Sequence, residues 1–289
     1  ASLITQSPTV EILTSESEKQ DGAILTNEEK DRIKKNLADA YFQMGNYNKA
    51  MDVAIPLIQD LEERDPNSEY LAPLCYLVGD AAWEVGDYER RVVDYYRKGR
   101  EQNPLYPPGS GERSHKAALR MANTYFSRGL SRGDVGQLDS AISEYNRILR
   151  EFPETDWTYF TRYWLAKTYE KYADVLSTPD TEHYDPEAAR QNYQYAYNQY
   201  QLALEARERS GVVDKYERDP HKACYARSGQ CAYKANDLGE AREMLSEAIL
   251  WSATGAPGDP RAIPCRELLG DIYLELGHPD HAIRIYEHY

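Results

Sequence analysis

The stretch Tyr41–Met51, YFQMGNYNKAM, decides how this chain is to be read. An aromatic residue is followed four positions later by Gly45, then by Tyr47, then by Ala50. Relatives of the same skeleton stand at Ala81–Val92, AAWEVGDYERRV, and at Asp271–Ile283, DIYLELGHPDHAI. Gly86 and Gly277 fall at the corresponding turn, and the second relative restores the aromatic and the small residue as Tyr273 and Ala282. A glycine closing one apolar-periodic run and opening another is the mark of a helical hairpin, because glycine takes the left-handed backbone of a tight turn at little cost. One supersecondary unit is therefore used repeatedly, and function has to be read from an array.

Working outward from that stretch gives the units. Residues 1–25 are rich in Ser, Thr and Glu with short apolar pieces, and are expected to form a flexible N-terminal arm. Thr26 with Glu29 three positions later predicts a capping box opening the first helix. The helical domain is then expected over 26–289, with hairpins near 27–66, 70–104, 113–153, 157–209, 220–252 and 262–289. Ala50, Val53, Ala54, Leu57, Ile58 and Leu61 make a helical stripe in the first return helix, and Pro56 is expected to kink it near Asp52. In the third unit GLSRGDVGQ, from Gly129, is read as an insertion before the return helix. Asp185 and Pro186 predict the start of the longest helix, whose stripe is Tyr193, Tyr197, Tyr200 and Leu204. The small residues of the opening helices, Ala38, Gly79, Ala122, Ala166, Gly229 and Gly270, are separated by 41, 43, 44, 63 and 41 positions. A recurring period with one long insertion predicts an α-solenoid.

Composition agrees with a thin architecture. The 289 residues are 41% hydrophobic and 28% charged, values that suit high surface rather than one large core. A net charge of −14 argues against nucleic acid as a partner, since phosphate affinity begins with Lys and Arg. Tyrosine is over-used, 25 copies against 4 Phe, and a half-buried wall favours a ring that packs while its hydroxyl finds a polar partner. Cys75, Cys224, Cys231 and Cys265 are too few for a disulfide scaffold and lack zinc spacing. They read as small buried residues, with a link between Cys231 and Cys265 left open. No apolar run is long enough to span a membrane. The chain opens with Ala1 rather than Met, which a removed signal peptide or a trimmed boundary would explain.

The pattern resembles the tetratricopeptide repeat. LLGDIYLELGHPDHAIRIY (268–286) and LADAYFQMGNYNKAM (37–51) match its signature best, and the resemblance covers about residues 27–289. It departs from the family in a period longer than 34 residues, in Val78, and in Arg91 where a small residue is expected. Arg91 is read as a snorkelling side chain, with an ion pair between repeats or a partner contact as the alternative. Within the family, YWLAKTYEK (163–171) and YNRILREFPET (145–155) look like bacterial cell-envelope repeat proteins of the barrel-assembly lipoprotein and Tol-Pal-associated kinds. That likeness implies the periplasm or envelope rather than the cytoplasm; no lipidated Cys stands at the start, so direct lipid anchoring is not implied.

The resemblance implies an all-α, right-handed α-solenoid of about six hairpins whose opening helices line a concave, peptide-binding face. Carried onto this chain, the outward positions of those helices are Lys35, Asp39, Tyr76, Asp80, Trp83, Asn123, Phe126, Tyr163, Lys167, Gln230 and Tyr233. Asn123 fills the slot where an Asn often holds a peptide backbone, but the family's basic clamp for a C-terminal carboxylate is missing. Trp83 and Tyr233 are the candidate apolar anchors. Catalytic signals are lacking: GSGERS (109–114) has neither the Lys nor the strand of a phosphate loop, and no nucleophile elbow occurs. His278, His281 and His288, and His183 in TEHYDPE, read as surface histidines rather than metal ligands. The expectation is a non-enzymatic adaptor for a protein or peptide, without cofactor or metal. A structural subunit packing through its terminal repeat, and the non-catalytic region of a larger enzyme or regulator, are the alternatives.

Overall fold

The computed structural model describes residues 25–88, 90–104, 106, 111–153, 155, 157–210, 220–255 and 262–287. Among them regular structure is entirely helical, in six successive hairpins. These are α1 (Asn27–Gln43) with α2 (Tyr47–Arg64), α3 (Leu71–Val85) with α4 (Arg91–Gln102), and α5 (Glu112–Arg132) with α6 (Val135–Glu151). Then come α7 (Thr158–Leu176) with α8 (Pro186–Ser210), α9 (Pro220–Lys234) with α10 (Leu238–Gly255), and α11 (Ala262–Glu275) with α12 (Pro279–Glu287). The chain divides into two compact units, residues 1–124 and 125–289, the boundary falling within α5. α1 packs on α2, α2 on α3 and α3 on α4 in the first unit, and from α6 to α12 each helix packs on the next in the second; opening helices also touch across hairpins, α1 with α3 in the first and α9 with α7 and α11 in the second. The expected arm and His288 lie outside the described residues.

The recurring glycine does what its position predicts. Gly45 has φ +74°, and the Asn46 N–H reaches back to the Tyr41 carbonyl at 2.9 Å. Asn46 then offers its own carbonyl to the Ala50 N–H at 3.0 Å, so one residue closes a helix and opens the next. The same reach-back is made by Asp87 to Ala82, Asp134 to Gly129, Asp237 to Ala232 and His278 to Tyr273. The capping box also forms: Thr26 Oγ1 accepts the Glu29 N–H at 3.2 Å, and the Glu29 carboxylate accepts the Thr26 N–H at 2.8 Å.

Two expectations need correction. GLSRGDVGQ is not an insertion: α5 continues through it to Arg132, Asp134 makes the common turn, and its side chain caps α6 by accepting the Gln137 N–H at 3.2 Å. Pro56 lies inside α2, which runs from Tyr47 to Arg64. Arg91 neither snorkels over a loosened unit nor pairs between repeats. It begins α4, exposed, and binds Asp87 of its own turn at 3.1 Å, while the next residue, Val92, takes the buried place. Cys231 and Cys265 are not bridged; all four cysteines are buried thiols, and burial pushes the Cys75 thiol up to about 12.

The core is built from small residues at the crossings and Leu, Ile and Tyr between them. Ala38, Ala50, Ala54, Leu57, Ile58 and Leu61 are all buried in the first hairpin. In the second unit the stripe of α8, Tyr193, Tyr197, Tyr200 and Leu204, is buried together with Cys224, Cys231 and Leu245. Each tyrosine finds a carboxylate: Tyr193 donates to Asp174 at 2.8 Å, Tyr200 to Glu170 at 2.8 Å, and Tyr197 to Glu240. This is why tyrosine rather than phenylalanine fills the wall.

A buried histidine makes the fold acid-sensitive. His115, on α5, is held down to about 4 from its ordinary 6.5 by burial and then by the nearby Arg100 charge. The unfolded chain therefore takes up a proton at a pH where the folded chain does not. Stability is full above about 6.5 and falls as pH drops toward 4. Between pH 7 and 4.5 the loss from this group is expected to be about 2 kcal/mol. Urea unfolding at both pH values checks it: a His115→Leu variant should show a pH dependence smaller by that amount.

Candidate partner-binding face

In the first unit the opening helix α3 carries Gly79 and Asp80, and the return helix α4 carries Tyr96. The Tyr96 ring lies against the bare Gly79 backbone, and its hydroxyl donates to Asp80 Oδ1 at 2.7 Å. Arg120 of α5 completes the group: Nη1 reaches Asp80 Oδ1 at 2.8 Å and Nη2 reaches Glu84 at 3.1 Å, while the guanidinium stands 4.9 Å from the centre of the Trp83 ring. Arg113 adds a second cation at 3.0 Å from Asp80 Oδ2. Burial and the Asp80 charge raise the Tyr96 hydroxyl far above its ordinary range, so it keeps its proton for Asp80 while its oxygen accepts from Arg120 Nη1 at 2.9 Å.

The second unit repeats the chemistry one turn further along. Glu170 of α7 accepts the Tyr200 hydroxyl, and Arg227 of α9 reaches both its oxygens, at 2.8 and 2.9 Å. Asp174, a turn on, binds Lys171 at 2.6 Å and Lys234 at 2.9 Å, and these bonds with Tyr193 hold its carboxyl low against its burial. On the same helix Lys167 lies 4.7 Å over the Trp164 ring and 5.8 Å over Phe126. Phe126 and Tyr163 each meet Trp164 edge-on at 5.7 Å. Burial, then Arg227, lowers the Lys167 ammonium's affinity for its proton. Among the described residues no carboxylate oxygen comes within 4.0 Å of Lys167.

The expected binding residues therefore separate. Phe126, Tyr163 and Lys167 come together around Trp164, with Lys167 and Tyr163 half-buried at the surface. Tyr76, Asp80 and Phe126 are not outward-facing: they are 0%, 7% and 4% exposed. The reason is the next hairpin or neighbouring ring: Tyr76 stacks on Tyr106 at 5.3 Å and shares a hydrogen bond with Ser114, Asp80 is covered by two arginines, and Phe126 by Trp164 and Lys167. Trp83 is half-buried between Arg120 and Tyr88. Lys35 pairs with Asp39 at 2.7 Å and also lines a pocket of about 570 Å³ with Tyr70 and Gln102. Asn123 and Gln230 are half-buried, and Tyr233 donates to Glu275 at 2.7 Å. Trp164, Glu170, Arg120 and Arg227 are missing from the sequence-derived set. Trp164 and Glu170 stand inside YWLAKTYEK, flanking Lys167, and helical spacing alone groups them with it. His278 and His281 sit ring to ring at 5.7 Å, and among the described residues no three metal-ligating side chains cluster. No described helix is long and apolar enough to cross a membrane.

Comparison with known proteins agrees with this geometry. The tetratricopeptide-repeat signature matches residues 116–155 in one form and residues 36–54 and 264–289 in another. A solved Podosopora anserina structure described as a kinesin light chain of nearly identical TPR-like repeats superposes with TM-score 0.50 at 12% identity, over 76% of this chain and 94% of that one. BtubC (BKLC) from P. vanneervenii gives 0.45 at 18% identity, over 83% and 89%. A tetratricopeptide repeat protein from Parabacteroides merdae gives 0.41 at 14%, over 92% and 91%. No curated protein matches the sequence. Three stretches of the chain thus match the tetratricopeptide repeat, and they lie in an all-α fold of serial hairpins.

Proposed function

We propose that the chain is a non-catalytic adaptor that holds an acidic segment of a partner protein on the opening-helix face of its second unit. The observation carrying this reading is Lys167: a half-buried cation seated over two aromatic rings, with Glu170 on its own helix but no carboxylate oxygen among the described residues within 4.0 Å, in a chain of net charge −14. A partner's Asp or Glu would gain a charge-assisted bond there, and an adjacent apolar side chain would lie along Trp164 and Tyr163. A setting in a bacterial envelope is supported by the likeness of YWLAKTYEK and YNRILREFPET to repeat proteins of that compartment.

Peptide display against the full chain tests the proposal. Enriched peptides are expected to carry an acidic residue next to an apolar one, and Lys167→Ala is expected to weaken them about tenfold. Enrichment of basic or uncharged peptides, or equal binding by the variant, would overturn it.

A further inference from the structure

The first unit holds a cavity of about 570 Å³ that the Lys167 reading leaves out. It lies where the turn after α2 enters α3, between Lys35 of α1 and Gln102 at the end of α4. That volume falls in the range of small-ligand sites, about 300–1,000 Å³. One wall is fixed: the Tyr106 ring stacks on Tyr76 at 5.3 Å with 13° between the planes, and the Tyr106 N–H reaches Ser114 Oγ at 3.2 Å. Tyr70 and Pro73 supply further apolar surface. Two groups of the lining are unengaged. Among the described residues the Glu69 carboxylate makes no ion pair, and the half-buried Tyr70 side chain makes no hydrogen bond or ring contact. The Lys35 ammonium, by contrast, is already bound to Asp39 at 2.7 Å.

We propose that this cavity binds a guanidinium group carried on a short apolar stem. The sign of the ligand follows from the charges. With Lys35 neutralised by Asp39, Glu69 gives the cavity a negative charge, in a chain whose net −14 draws cations and turns anions away. The kind of cation follows from the shapes. A carboxylate accepts two parallel N–H bonds from a guanidinium, a match that an ammonium does not offer. A planar cation also lies well against an aromatic ring, and the lining holds two, Tyr70 and Tyr106. Pro73 takes the stem, as methylene chains lie along apolar surface beneath a charged head. Gln102 adds an amide oxygen for a remaining N–H. An arginine side chain of a protein and a free guanidine both carry this group, and the group is what the cavity recognises.

Ligand-observed NMR with the full chain tests the assignment. The probes are N-acetylarginine methylamide, the protein-borne form, and propylguanidinium chloride, the free form. At least one is expected to bind saturably below about 1 mM, the weak end of specific recognition. Their neutral isosteres, N-acetylcitrulline methylamide and propylurea, are expected to bind about tenfold more weakly. Glu69→Gln is expected to lower affinity by about tenfold and Tyr70→Ala by about fivefold. Glu69 is exposed, so circular dichroism should show the Glu69→Gln chain unaltered. Lys35→Ala releases Asp39 and should leave binding as tight or tighter. Preference for capped arginine assigns the site to a side chain of another protein, and preference for propylguanidinium to a free guanidine; each upholds the proposal. No binding by either probe below that concentration, equal binding by the neutral isosteres, or indifference to Glu69→Gln and Tyr70→Ala would overturn it.

Discussion

Replacing Glu170 by alanine is expected to destabilise the second unit by about 3 kcal/mol, the cost of breaking a buried charge pair from one side. Glu170 is only 7% exposed and is the point where three helices meet electrostatically: its own α7, Tyr200 of α8 and Arg227 of α9. Without the carboxylate, the Tyr200 hydroxyl loses its acceptor in a wholly buried position, and Arg227 keeps a charge whose side chain is about two-thirds covered. Desolvation of both was offset by the pairing and is left uncompensated once the pairing is gone. Glutamine keeps the shape and one acceptor oxygen, so Glu170→Gln should cost about half as much. Thermal melts separate the two: for a unit of this size the alanine variant should melt about 6–12 °C lower. Tyr200→Phe removes only the hydroxyl and should cost about 1 kcal/mol. If Glu170→Ala and Tyr200→Phe prove additive within about 0.5 kcal/mol, they do not act as a unit, and the network account of this hairpin is wrong.

The hairpins could be read in the sequence because their turns leave a chemical trace. Gly45, Gly86 and Gly277 adopt positive φ, and few other residues do so cheaply, so the turn shows as a letter. Thr26 and Glu29 announce the first cap in the same way. Where the trace is ambiguous the reading failed. Gly129 looks like a loop residue, yet it lies inside α5, packed against Leu138, and the true turn is made by Gly133 four positions later. At the candidate face the failure has a different origin. A helix position is outward only if nothing covers it, and coverage is a property of the next hairpin. Asp80 and Tyr76 occupy outward slots of an isolated hairpin, but α5 lies over them. The covering arginines are 33 and 40 residues away in sequence, too far for any periodicity to connect them. One signal was present: Gly followed by Asp, with Tyr 15 or 16 residues after the Asp, occurs as Gly79–Asp80–Tyr96 and as Gly270–Asp271–Tyr286. It couples a missing Cβ to an aromatic ring and the ring's hydroxyl to the next carboxylate.

That coupling gives the second large effect. Gly79→Ala is expected to destabilise the first unit by about 2–3 kcal/mol, although alanine is the better helix former by about 1 kcal/mol. A Cβ built on Gly79 would stand 2.5 Å from Tyr96 Cε1 and 3.0 Å from Cγ, well inside a carbon–carbon contact. The ring cannot step aside: Tyr96 is fully buried and its hydroxyl is held by Asp80 and Arg120. Relief requires α3 and α4 to separate, which loosens the packing of Val78, Ala82 and Val92 as well. The sixth hairpin provides the internal control. Gly270→Ala creates the same clash with Tyr286, but that ring lies at an open face and its hydroxyl bonds an exposed Asp271, so it can swing outward. The cost there should stay below about 1 kcal/mol, the gain in helix propensity offsetting part of the lost contact. Shortening the ring side chain in the first unit should rescue it: Gly79→Ala combined with Tyr96→Leu is expected to be less damaging than the sum of the two changes by at least about 1 kcal/mol. Urea unfolding of the four chains of that cycle checks it. Additive losses, or equal losses at Gly79 and Gly270, would mean that the ring rests on the glycine by coincidence and that the close approach does not define the hairpin.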